Sequence, residues 1–172
     1  MKNEIYSIFA PMELIYFDNG ATTALDPHVV DYMADVMKST MGNPSSTHKF
    51  GRSAKALVEG SRKRIAKALN CSSAEIIFTG GGTEADNLIM RNAVENLGVE
   101  RIISTKIEHA AVLNTINCLV VNKEIEAEYL SIDNNGEINL EELDRLLKQS
   151  SKKTLVALMY INNEIGSIMP MD

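Results

Sequence analysis

The chain has 172 residues, 45% hydrophobic and 23% charged, with a net charge of −6; that suits one globular domain, or part of a larger one, with a real core. The acidic balance argues against bulk electrostatic binding to nucleic acid or to an anionic membrane surface, and the one basic cluster, Arg62-Lys63-Arg64, falls in a helical pattern and reads as a solvated face. No apolar run approaches the roughly 20 residues that span a bilayer, and MKNEIYSIFAPM is too interrupted by polar residues for a secretory signal. Only two cysteines occur, Cys71 and Cys118, far apart, so neither a disulfide framework nor a zinc site is expected; a reducing cytoplasm is the expected setting.

In chain order, LIYF (14–17) reads as a short strand ending at Asp18. Asp26-Pro27 offers an N-cap followed by proline at the first helical position, and Val29, Val30, Met33, Val36 and Met37 share one face of the helix behind it. The turn-forming loop MGNPSSTHKFG leads into a long amphipathic helix to about Leu69, with Val58, Ile65 and Leu69 as core candidates. Beyond residue 74 strands are expected at 75–79, 101–105, 126–132 and 154–160, with helices near 83–97, 109–121 and 139–149. Asn139 with Glu142 three residues on reads as a capping box for the last of these. This alternation predicts an α/β fold with a partial, mostly parallel sheet and flanking helices. Ligands in such folds gather at the carboxyl ends of the strands, where three polar loops fall: 79–87, 106–109 and 161–166.

The first loop, TGGGTEAD, joins an expected strand to a helix start. Exposed amides there, with the positive end of the helix dipole behind them, form a ready anion site, and glycines admit the anion closely. The loop is neither a Walker A motif nor GxGxxG, and Thr83 with Asp86 equally reads as a plain capping box. His109 and the amides of YINNEIG have structural readings too, since buried amides need partners and a histidine at a helix start can serve packing. An anion loop, a planar ring and a neutral amide donor converging on one crevice fit a flat phosphorylated cofactor, pyridoxal phosphate before others.

Five stretches, YFDNGATT (16–23), GNPSSTHKFG (42–51), IIFTGGGTEADN (76–87), KIEHAAVLN (106–114) and YINNEIG (160–166), occur in one order from about Met12 onward. Together they make the chain resemble the cysteine desulfurases, the NifS/IscS-like group of pyridoxal-phosphate enzymes related to class V aminotransferases. The resemblance implies that Gly82 and Thr83 bind the cofactor phosphate, that His109 stacks on the pyridine ring and serves proton transfer, and that Asn163 hydrogen-bonds the ring oxygen. Asn43 and residues 20–23 would lie near the substrate entrance. The implied reaction takes sulfur from L-cysteine as a persulfide on an enzyme cysteine and releases alanine. A homodimer and a sulfur-acceptor or scaffold protein are the implied partners, with iron–sulfur clusters or thio-cofactors as the destination.

The same resemblance makes Met12 the expected native start, residues 1–11 an extension, and residues 12–172 an incomplete first part of the cofactor-binding large domain. The family's pyridinium-pairing Asp, Schiff-base Lys and sulfur-accepting Cys have no match here. SSTHK (45–49) imitates the motif around that lysine but precedes the glycine loop. The chain by itself is therefore expected to be inactive, with unpaired sheet edges and exposed apolar surface. Met169 stands where family members often carry Gln before the proline. A selenocysteine lyase, another class V enzyme, or a non-catalytic half-domain serving as an assembly module are the alternative readings.

Overall fold

The computed structural model describes residues 15–170. Its centre is strand β1, Arg101–Ser104, with β2 (Glu126–Tyr129) on one side and β3 (Thr154–Val156) on the other, all parallel. Arg101 stands opposite Glu126 and Thr154, and Ile103 opposite Glu128 and Val156. Parallel neighbours require crossover helices, supplied by α4 (Ala110–Val121) between β1 and β2 and α5 (Leu140–Lys148) between β2 and β3. Upstream lie α1 (Pro27–Ser39), α2 (Lys49–Ala68) and α3 (Gly82–Leu97). The expected α/β architecture is therefore present, with strands shorter than the sequence pattern suggested.

All four residues of β1 are buried, as a strand covered on both faces must be. Alternation sends Ile102 and Ile103 to opposite sides. Ile102 joins Met90, Ala93, Ile116, Leu119 and Ile125, while Ile103 joins Leu130, Ile138, Leu146 and Met169. The atypical Met169 is thus a core residue. Buried Arg101 fastens the amino end of the sheet, donating to Thr154 Oγ1 at 2.9 Å, Glu128 Oε1 at 3.0 Å and the Leu146 carbonyl at 3.1 Å.

Several expectations fail where a pattern lacked a partner. Residues 75–79 form no strand; a single 3-10 turn covers Ser73–Glu75, and Ile77 and Phe78 are exposed. Residues 15–17 likewise form no strand, while Leu14 and the 1–11 extension lie outside the described residues. A strand needs a ladder, and no described residue offers one there. The apolar stripe of α1 is also uncovered: Val29, Val30, Met33 and Met37 are exposed and only Val36 is half-buried. On α2, Ile65 and Leu69 are exposed and Val58 is half-buried; the residues it buries are Gly51, Ala54 and Ala66. Tyr32, Met33, Met37, Leu57 and Phe78 instead line an open apolar cleft of about 550 Å³. Gly51 has a steric reason, since a Cβ there would collide with the Asn43 and Ser46 carbonyls.

Helix starts follow the sequence more closely. Asp26 caps α1 through a 2.8 Å bond from the His28 amide, with Pro27 as its first residue. Asn139 Oδ1 accepts from the Glu142 amide at 3.0 Å, but the box stays half-made, because the Glu142 carboxylate accepts instead from the amide and hydroxyl of Ser131. Asn139→Ala is expected to lower stability by about 1 kcal/mol, as loss of an N-cap does, read as a lower urea midpoint at unchanged slope.

Candidate functional site

The glycine loop opens α3 without any side-chain cap. Gly81 is the N-cap with extended backbone (φ 162°, ψ 177°), a conformation open to any residue. The Thr83–Asp86 capping box is not formed: Thr83 sits inside the helix and its hydroxyl has no partner among the described residues. Gly80 donates its amide to Glu84 Oε2 at 2.6 Å, and the first backbone bond of the helix runs from Ala85 to the Gly81 carbonyl at 3.1 Å. The amides of Gly82, Thr83 and Glu84 find no acceptor among the described residues, as the first turn of a helix requires of something outside it. A Cβ built on Gly81 or Gly82 meets nothing within 4 Å. Neither glycine is sterically demanded by the fold, and Gly81, Gly82, Thr83 and Glu84 are all exposed.

His109 is the N-cap of α4: its Nδ1 accepts from the Ala111 amide at 3.1 Å. That bond fixes the ring and leaves the proton of the neutral imidazole on Nε2. Beside it, buried Glu108 accepts from the Met159 amide through Oε1 at 2.5 Å. Burial pushes its carboxyl above the usual range, the Asp86 carboxylate adds to this, and the bond from Met159 opposes it. Asp86, Glu108, His109, Val112 and Met159 line one groove of about 350 Å³ beside β3. Gly82 lies one helical turn before Asp86 on α3.

The two amides of YINNEIG part company. Asn162 is buried, donating from Nδ2 to the Ile107 carbonyl at 2.7 Å and accepting at Oδ1 from the amides of Glu164 and Ile165 at 2.9 and 3.1 Å. Asn163 is exposed and donates from Nδ2 to the Gly20 carbonyl at 3.3 Å, which brings the 20–23 segment against the third loop. The structure thus places His109 and Asp86 on one groove and ties the His109 loop to the Asn163 loop; Gly82, Thr83 and Asn163 do not themselves line that groove. Sequence reasoning missed Glu108 and Asn162. The available signal was the acid next to His109 and the need of any buried polar group for a partner.

Glu108 yields a pH prediction. A folded carboxyl with a raised pKa contributes stability that is complete below the unfolded value and lost as pH rises through the folded one. Stability of the parent should therefore fall, relative to Glu108→Gln, as pH rises upward from 4.5, the ordinary value for this group. Urea titrations of both proteins between pH 4 and 7 check this; parallel curves would refute it.

Among the described residues no helix is long and apolar enough to cross a membrane, and no three His, Cys, Asp or Glu side chains gather as a metal site. Residues 15–172 match the family described as Aminotransferase class-V. The chain is similar to a cysteine desulfurase of Nostoc sp., 39% identical over 167 residues, covering 94% of this chain and 40% of that one. It superposes on a solved NifS-like protein with TM-score 0.83 at 38% identity, covering 91% of this chain and 43% of the other. A structure described as SspA in complex with cysteine gives TM-score 0.77 at 28% identity, over 90% of this chain and 44% of that one. The chain spans about two-fifths of the length of the curated relatives it matches.

Proposed function

We propose, from the premise that this chain belongs to the class V aminotransferase family, that it supplies the phosphate-loop part of a pyridoxal-phosphate-dependent cysteine desulfurase. The proposed reaction takes sulfur from L-cysteine and releases alanine. The observation that carries this reading is the uncapped start of α3, three amides without acceptors on exposed residues of the glycine loop. Similarity to cysteine desulfurases at about 40% identity supports the choice of reaction.

In this reading the amides of Gly82 and Thr83, with the Thr83 hydroxyl, hold the cofactor phosphate at the positive end of a 16-residue helix. His109 stacks on the ring, held by its bond to Ala111, and presents Nε2–H for proton transfer. Asn163 donates to the ring oxygen, exchanging its present acceptor, the Gly20 carbonyl. Bound pyridoxal phosphate supplies the electron sink that the chemistry at the substrate carbon requires. No residue of this chain matches the family's Schiff-base lysine or sulfur-accepting cysteine, so the activity requires a polypeptide that provides both. We read residues 12–172 as part of the cofactor domain, and a homodimer and a sulfur acceptor as its partners.

The test mixes this chain with a polypeptide spanning the remaining three-fifths of a relative's length, plus pyridoxal phosphate. The expected result is a visible absorbance band of protein-bound cofactor and alanine release from cysteine exceeding that from selenocysteine. A stable complex with no such band would overturn the reading, and preference for selenocysteine would redirect it to a lyase.

A further inference from the structure

We propose that Glu108 and Asn162 form a clasp that sets His109 and Asn163 as one unit, which makes both of them positioning residues of the cofactor site; this rests on the function proposed above. The β1–β3 ladder ends at Ile103 opposite Val156, where the Ala157 amide donates to the Ile103 carbonyl at 2.9 Å and Ser104 Oγ to the Ala157 carbonyl at 2.9 Å. Past that point, among the described residues, no backbone bond joins 105–109 to 158–165. Two side chains take over, and they reach in opposite directions. Glu108 crosses from the second loop (106–109) to the Met159 amide at 2.5 Å, and Asn162 crosses back from the third to the Ile107 carbonyl at 2.7 Å.

Each clasp residue is the immediate chain neighbour of a candidate cofactor residue, Glu108 of His109 and Asn162 of Asn163. Both are buried, at 8% and 3% exposure, so water cannot readily replace a lost partner. Asn162 is braced further by the Glu164 and Ile165 amides, which fixes the turn that carries Asn163. A shift of either loop is therefore transmitted to the other. His109 and Asn163 keep a common frame although the two clasp bonds join loops far apart along the chain. The glycine loop makes no bond to the clasp, so phosphate capture and ring placement are separable.

The experiment uses the isotope-labelled chain and four variants: Glu108→Ala, Glu108→Gln, Asn162→Ala and Asn162→Asp. NMR follows the His109 ring and the Asn163 side-chain amide, and thermal unfolding identifies any variant that fails to fold. Glu108→Ala should move the Asn163 signal as well as the His109 signal. Asn162→Asp, which keeps the shape but cannot donate to the Ile107 carbonyl, should do the same from the other side. Glu108→Gln keeps an acceptor for Met159 and should restore both signals. Pyridoxal phosphate affinity should fall about tenfold in the broken variants, the worth of roughly one hydrogen bond, while inorganic phosphate affinity stays within about twofold, since the glycine loop is untouched.

Signals that move only on the mutated loop would overturn the clasp, as would a Gln variant that rescues nothing. Equal losses of phosphate and pyridoxal phosphate affinity that track melting temperature would overturn it in favour of a merely structural role. If the parent binds neither probe but the coupled signal shifts persist, the clasp stands and the cofactor reading falls. If the parent binds both probes but the shifts are uncoupled, the cofactor reading stands and the clasp falls.

Discussion

Replacing Ile102 with alanine is expected to lower the stability of the fold by about 2–5 kcal/mol, the range for removing a buried branched side chain from a packed core. Ile102 has 0% exposure, sits on the central strand, and is clamped by ladders to Ala127 on one side and Leu155 on the other. The side chain fills the space between the sheet and helices α3 and α4, against Met90, Ala93, Ile116 and Leu119. Because the strand is paired on both edges it cannot slide to close the gap, so the cavity term adds to the transfer term. With typical domains stable by only about 5–15 kcal/mol, this is a large fraction of the total. The control is Ile65→Ala on α2, where the residue is 40% exposed and a change within about 0.5 kcal/mol is expected. Urea unfolding followed by circular dichroism distinguishes the two; equal midpoints for both variants would contradict the packing described.

Gly82→Asp should abolish phosphate and pyridoxal phosphate binding while leaving the fold intact. The new Cβ meets no atom within 4 Å, and position 82 is helical, so no backbone strain follows. An acid in the first turn even favours the helix through its dipole. The same carboxylate would face an incoming phosphate at close range, where like charges about 4 Å apart near a protein surface repel by roughly 4 kcal/mol. Affinity should fall by at least about a hundredfold, measured by equilibrium dialysis, with an unchanged melting temperature. Undiminished phosphate uptake would remove the glycine loop from the site.

The regular part of the fold was legible because each element from β1 onward carried its own signal. An apolar run marked the buried strand β1, and Asn139 marked a helix start that the structure retains. Legibility failed where a pattern specified a surface but not its cover. The stripe on α1 and the run Ile76-Ile77-Phe78 are apolar in sequence, yet burial depends on a partner that no local pattern names. Capping boxes failed for a different reason: the Ser/Thr/Asn-x-x-acid pattern recurs, and competition decides which copy closes. Ser72 and Glu75 form one that went unread, whereas Glu142 is drawn away by Ser131 and Thr83 is bypassed because Gly81 takes the cap. At the site, the positions of the glycine loop, His109 and Asn163 were readable as motifs. The clasp was not, because Glu108–Met159 and Asn162–Ile107 join residues 51 and 55 positions apart.

Those separations also order the assembly of the molecule in time. Arg101 meets Glu128 across 27 positions and Thr154 across 53, whereas Asn163 meets Gly20 only across 143. Each doubling of a closed loop adds about 0.6 kcal/mol of chain entropy. The β1–β2 pair is thus the least costly to close, β3 joins next, and the contact with Gly20 closes last. That contact is a single exposed bond at 3.3 Å, worth about 0.5–1.5 kcal/mol net. The wall it brings to the third loop is accordingly the last part to arrive during folding and the first to leave on thermal opening.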